Sequence, residues 1–266
     1  MSKIEEALKK AAQARQLQRI DSTLTDPESV KVTPPSKKPL EKSLLLRNRL
    51  VTLTAPQSIE AEQYKKLRTQ ILQRTKSNFQ NTLMVTSAIA GEGKTLTALN
   101  LAITIAQGVH ETVLLVDCDF RRPCIHKLLD IESRYGLSDY LTKNIDLAKL
   151  LVKTEINKLT VLPAGQMPPN PSELLASEKM KNLVKEIKNR YQDRYIIFDS
   201  APLLPTTDPS ILARQVDGVI LVAQAGRTPR ADVVSALKLL EGINVLGVVL
   251  NSLDVISPNY YYYYYY

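Results

Sequence analysis

Residues 88–95, Ala-Ile-Ala-Gly-Glu-Gly-Lys-Thr, meet the phosphate-loop pattern G-x-x-x-x-G-K-[ST] at every defined position except the first, where Ala88 stands for glycine. The pattern restricts the fold because it works only between a strand and a helix, where backbone N–H groups and the helix N-terminus converge on phosphate oxygens. Both flanks are present: residues 83–86 are an aliphatic run and residues 96–106 have helical character. Gly91 and Gly93 let the backbone curl without a Cβ in the ligand's path. Lys94 would lie against the β- and γ-phosphates of a nucleotide, and the Thr95 hydroxyl would ligate Mg²⁺.

Further short apolar runs at 113–116, 159–162, 196–198, 219–222 and 246–250 are separated by helical stretches. Continuous apolar strands alternating with helices predict an α/β fold of the P-loop NTPase kind, a parallel sheet with helices on both faces. Ligands of such sheets bind at the carboxyl ends of the strands. One run leads into Asp117 and Asp119, followed by Arg121, Arg122 and Pro123, and another leads into Asp199. Alone, each aspartate reads first as a helix or turn cap. Beside a phosphate loop the three read as carboxylates around a nucleotide-bound metal, with Asp199 orienting Mg²⁺ or its water.

With 266 residues, 44% of them apolar and 23% charged, the chain is long enough for one sizeable core plus extensions. The net charge of +8 would suit nucleic acid or an anionic membrane. Much of the excess lies in the first half, outside any DNA-binding pattern, so no nucleic-acid partner is expected. Cys118 and Cys124 support neither a disulfide framework nor a zinc site. No apolar run approaches the roughly 20 residues that cross a bilayer. The first residues lack a secretion signal, so a cytoplasmic chain is expected, with any membrane association peripheral or through a partner.

Four segments follow. Residues 1–20, with Ile4, Ala7, Leu8, Ala11 and Ala12 at helical spacing, predict an amphipathic helix of undecided role. Residues 21–58, holding Pro27, Pro34, Pro35, Pro39 and Pro56, read as a linker. The compact domain is expected over 59–251, and 252–266 form a tail that ends in Tyr260, Tyr261, Tyr262, Tyr263, Tyr264, Tyr265 and Tyr266. A phenol is neutral at pH 7 and gains about −1.5 to −2 charge when phosphorylated, so seven modifications would subtract roughly 10 to 14 charges. By itself the run reads equally as a sticky low-complexity end. Joined to a phosphate loop it reads as a stack of phosphate acceptors, on a tail that spans about 50 Å if extended.

In combination these segments resemble the bacterial tyrosine kinases of exopolysaccharide and capsule synthesis, the BY-kinases. The resemblance covers residues from about 59 to the C-terminus. It rests on 91–95 as Walker A, on 116–123 (Val-Asp-Cys-Asp-Phe-Arg-Arg-Pro) as Walker A′, on 198–202 (Phe-Asp-Ser-Ala-Pro) as Walker B, on the tyrosine cluster, and on 165–175 and 247–251. It implies an ATP- and Mg²⁺-dependent protein tyrosine autokinase that phosphorylates its C-terminal cluster and regulates polymerisation and export of the polysaccharide. By the same resemblance Gly91, Glu92, Gly93, Lys94 and Thr95 surround the nucleotide phosphates, Thr95, Asp117 and Asp199 hold Mg²⁺, and Asp119 joins the catalytic set. Asp117 is the implied acceptor of the phenolic proton. Arg121 or Arg122 either neutralises charge on the γ-phosphate or makes a surface salt bridge. Asn251 matches the position that contacts adenine, with a turn-forming role as the alternative.

Glu62, Lys65 and Arg68 resemble the family's E-x-x-R-x-x-R oligomerisation motif and imply a homo-oligomeric ring with transfer between subunits. Lys65 departs from that pattern and cannot form the two-pronged pairing of arginine; a solvated helix face is the other reading. The implied partners are a membrane-embedded polysaccharide co-polymerase, here a separate chain, and a phosphotyrosine phosphatase, with the kinase held at the inner face of the plasma membrane. Around residue 170, local physics predicts a helix start with Asn170 as N-cap, Pro171 at N1 and Glu173 at N3. The competing function is a positioning ATPase resembling ParA or MinD. Such proteins carry a lysine where this chain has Ile89. An adaptor that binds ATP without transferring phosphate is a third reading.

Overall fold

The computed structural model describes residues 41–253 apart from Asn144 and Gln192. The helix expected over 1–20, the first part of the expected linker and the tyrosine run lie outside the described residues. The helices are α1 (Lys42–Arg47), α2 (Val51–Thr54), α3 (Ile59–Thr75), α4 (Lys94–Ala106), α5 (Ile125–Leu128), α6 (Leu137–Thr142), α7 (Pro171–Ala176), α8 (Glu178–Arg190), α9 (Asp208–Ala213) and α10 (Arg230–Leu239). The strands are β1 (Thr82–Ser87), β2 (Thr112–Asp117), β3 (Val152–Lys153), β4 (Leu159–Leu162), β5 (Arg194–Asp199), β6 (Gly218–Gln224) and β7 (Val245–Asn251). They form one sheet in the order β3-β4-β2-β5-β1-β6-β7, parallel throughout except that β3 runs antiparallel to β4.

Every residue of β1 is buried, as are all but the first of β2 and β5, which is why these strands are continuously apolar instead of alternating. One face of the sheet packs against Leu141, Leu175, Leu183, Val184 and Leu212 from α6 to α9. The other packs against Ala98, Leu101, Ile105 and their neighbours on α4, with Ile71 of α3 alongside. Eleven of the thirteen residues of α4 are buried, so this helix is enclosed instead of amphipathic. A central helix held on all sides is a rigid mount for the phosphate loop at its start.

Residues 42–54 differ from the linker expectation, because α1 and α2 fold onto the domain. Leu50 is fully buried with the α4 core, the Thr52 hydroxyl donates to Asn100 Oδ1 at 3.0 Å, and Asn100 Nδ2 donates to the carbonyl of Arg49 at 3.3 Å. The prolines pointed to a linker, but Leu44, Leu45, Leu46, Leu50 and Leu53 carry enough apolar surface to repay ordering two short helices. Leu50→Ala is expected to cost about 2–5 kcal/mol, read as a lower urea midpoint at unchanged slope; an unmoved midpoint would show that this segment is peripheral to stability.

Helix α7 starts at Pro171 with Asn170 as its N-cap residue, yet the Asn170 side chain makes no capping hydrogen bond. The entry is closed by the backbone, with Leu174 N donating to Asn170 O at 3.2 Å. The side chain of Ser58 does cap α3, accepting from Ala61 N at 3.2 Å.

Candidate nucleotide site

The loop of residues 88–93 leaves the end of β1 and passes directly into α4. Gly91 and Gly93 have φ of 86° and 87°, a left-handed backbone that L side chains adopt at a cost of about 1–2 kcal/mol. Ala88 is buried and has no positive φ, which accounts for its replacing the first glycine of the pattern. A Cβ at Gly93 would sit 2.0 Å from Asn251 Nδ2.

Three side chains from elsewhere hold the loop. Glu92 is fully buried: its Oε2 accepts from Ile89 N at 2.8 Å, and its Oε1 accepts from the hydroxyl of Thr228. The Glu92 carboxylate is thus bonded to its own loop and to Thr228. Asn251 Nδ2, at the end of β7, donates to Glu92 O at 2.9 Å, so the residue matched to adenine contact braces the phosphate loop here. Arg227 Nη1 donates to Gly91 O at 3.2 Å. Sequence reading missed Arg227 and Thr228, which lie 136 residues from their partners in a stretch without a recognisable motif.

Strand order brings the charges together. β5 lies between β1 and β2, and Asp117 pairs in register with Asp199 across the β2–β5 ladder. Lys94, the first residue of α4, reaches into this acidic edge. Its Nζ lies 2.8 Å from Asp119 Oδ2, 3.9 Å from Asp199 Oδ1 and 3.2 Å from Thr95 Oγ1. Burial alone would lower the Lys94 pKa; the charges of Asp199 and Asp119 outweigh it and hold the amine protonated. Burial pushes Asp199 up to about 6 against the pull of Lys94. Asp117 is raised well above the usual carboxylate range, first by burial and then by Asp199. Its oxygens accept from the backbone N–H groups of Asp119 at 3.2 Å and Ile125 at 3.3 Å.

Both carboxylate oxygens of Asp199 are buried without a hydrogen-bond partner. Such orphaned acceptors beside a glycine-lined loop fit a site that completes itself with a cation and phosphate. Among the described residues, no group of three or more His, Cys, Asp or Glu forms a metal cage.

Arg121 pairs with the start of α9. Its Nε donates to Asp208 Oδ2 at 2.8 Å, and Asp208, buried at the start of α9, also accepts from the Ser172 hydroxyl. Of the two earlier readings for this arginine, the structure displays the salt bridge. The Arg122 side chain is exposed, and its backbone N–H donates to Asp119 Oδ1 at 3.0 Å. Cys118 and Cys124 are free thiols, each pushed up mainly by burial.

Glu62, Lys65 and Arg68 lie on α3. Lys65 pairs with Glu62 at 3.2 Å and both stay well exposed, whereas Arg68 Nη1 donates to Thr104 O at 3.1 Å near the end of α4. From Lys94 to Thr104 is about 15 Å along the helix, so this group is remote from the phosphate loop.

Residues 80–244 match the family described as AAA domain. The chain is 35% identical over 208 residues to the tyrosine-protein kinase YwqD of Bacillus subtilis, covering 77% of this chain and 86% of that one. It is 34% identical to the putative tyrosine-protein kinase CapB of Staphylococcus aureus, over 77% of this chain and 90% of that protein. The chain belongs to the bacterial tyrosine kinase family. The solved kinase domain of the Escherichia coli tyrosine kinase ETK superposes with a TM-score of 0.74 at 32% identity, over 78% of this chain and 82% of that one. In this family member Lys94, Thr95, Asp117, Asp119 and Asp199 converge on one edge of the sheet, and Glu92, Asn251, Arg227 and Thr228 fix the loop above them.

Proposed function

We propose that this chain is a protein tyrosine autokinase that transfers the γ-phosphate of ATP to phenolic oxygens of its own residues 260–266. The observation that carries this reading is Lys94, held protonated between Asp119 and Asp199 at the head of α4, in a kinase-family chain that ends in seven tyrosines. Backbone N–H groups of residues 91–95 cradle the phosphates, and Lys94 neutralises charge that builds on the transferred group. Thr95, Asp117 and Asp199 would hold Mg²⁺, which would supply charge neutralisation at the phosphate oxygens. Asp117 receives the phenolic proton as the new O–P bond forms and the bond to ADP breaks. Asp119 keeps Lys94 aimed at the phosphates.

The same reading makes tail modification a regulator of exopolysaccharide or capsule polymerisation. It places the kinase at the inner face of the plasma membrane, held by a separate membrane-embedded co-polymerase and reversed by a phosphotyrosine phosphatase. Among the described residues no helix is long and apolar enough to cross a membrane. Glu62, Lys65 and Arg68 are the proposed ring contacts, with the Glu62–Lys65 pair outermost. The test is Tyr→Phe at positions 260–266 with γ-labelled ATP. ATP affinity is expected to persist while most incorporated label disappears; undiminished labelling would place the acceptors elsewhere.

A further inference from the structure

A groove of about 610 Å³ runs between α8 and α9, on the face of the sheet opposite α4. Val184 and Ile211 contribute an apolar floor, and Lys181, Lys185, Lys188 and Arg214 surround it, with no acidic residue in the lining. Two of these cations are already engaged: Lys181 lies 2.6 Å from Glu178, and Lys188 pairs with Asp217. Lys185 and Arg214 are exposed, and neither has an ion-pair partner among the described residues. In the same wall Gln215 donates from Nε2 to Leu175 O at 2.7 Å, while its buried Oε1 has no partner.

We propose that this groove binds the chain's own tyrosine run, residues 260–266, once that run is phosphorylated. The inference rests on the autokinase reading for the source of the phosphate. An aryl phosphate has the two parts the groove accommodates: a ring that lies on apolar side chains and long cationic stems, and a dianion for ammonium and guanidinium groups. Unmodified phenols are neutral at pH 7 and bring no dianion to Lys185 and Arg214. Each phosphate adds about −1.5 to −2 charge, so modification creates the affinity. Thr207 lines the groove and directly precedes Asp208, the partner of Arg121. A phosphorylated segment captured there is withdrawn from the phosphate loop and leaves it clear for unmodified acceptors.

The experiment uses the full chain with Tyr→Phe at positions 260–266, so that its own tail stays unmodified. A synthetic peptide of residues 252–266, phosphorylated chemically on three tyrosines, is titrated by fluorescence anisotropy against its unphosphorylated twin. Only the phosphopeptide is expected to bind, and Lys185→Glu with Arg214→Glu should weaken it by about tenfold or more. Lys238→Glu, an equal change of charge per site on α10, should alter it less than about twofold. Equal binding to the wild-type groove and the double variant would overturn the proposal, as would binding of phosphatidylserine vesicles through the same two residues without the phosphopeptide. Because the phosphates are installed by synthesis, the result does not depend on whether the chain labels its own tail. The rate of tail labelling by Lys185→Glu/Arg214→Glu in the otherwise native chain, expected unchanged at early times, confirms that the variant is folded.

Discussion

Lys94→Ala lowers transfer of γ-phosphate to the chain's tyrosines by on the order of 10³-fold, while the protein still folds. The reason is positional as well as electrostatic. Lys94 is the only cation the structure places within 4 Å of Asp119 and Asp199 among the described residues, and it projects from the first turn of a helix buried on nearly every side. Water fills the place of alanine's missing amine without supplying a fixed positive charge. Three carboxylates then share a buried edge with no counter-ion, and proton uptake relieves their repulsion. Circular dichroism before and after substitution separates the two effects: a native spectrum with lost labelling is the expected pair. Labelling at the wild-type rate would remove this lysine from the reaction.

Gly93→Ala should weaken nucleotide binding through backbone strain and a side-chain clash together. With φ at 87°, an L side chain costs about 1–2 kcal/mol, equivalent to roughly a tenfold change in an equilibrium constant. The new methyl would also meet Asn251 Nδ2 at 2.0 Å and push it off Glu92 O, releasing the brace from β7. ATP affinity is therefore expected to fall by more than about tenfold. In Gly93→Ala/Asn251→Ala the clash is gone but the strained backbone remains, so affinity should return only in part. Equal affinity for wild type and Gly93→Ala, measured by calorimetry, would mean that the loop tolerates an alternative path.

Much of this site is legible from local pattern. Six of the seven strands fall where apolar runs predict them, because strands buried on both faces leave a period-free stretch that few other structures produce. Asp117 and Asp199 follow from the strand-end rule, although only the order β2-β5-β1 reveals that they are register neighbours beside the loop. β3 was invisible, since two residues carry no periodicity. Arg227 and Thr228 were invisible for a different reason. Their effect arises from contacts across the sheet, and nothing in the residues around them states which loop they meet. Glu92 and Asn251 were expected at the nucleotide and at adenine, and here their side chains meet the loop itself; a sequence does not say which way a side chain turns. At 42–54 the proline-based boundary lost to apolar burial, with Leu50 as the decisive residue.

The departure at Ala88 shows how a motif and its physical cause can be separated. The pattern asks for glycine there, but the backbone is left-handed only at Gly91 and Gly93 in this loop. Alanine at 88 therefore leaves the phosphate cradle intact, and its buried methyl joins the core beneath the sheet's edge. Lys65 is the converse case: its ammonium reaches Glu62 and the carbonyl of Pro56 at 2.9 Å, contacts an arginine fork would distribute differently.

Residue-level mass spectrometry of the purified full chain, incubated with ATP and Mg²⁺ with and without the proposed membrane-embedded partner as activator, tests the central claim most directly. The account predicts phosphate on tyrosines within 260–266 and none when Lys94 is alanine. A tail that stays unmodified with nucleotide, metal and activator all present would contradict it.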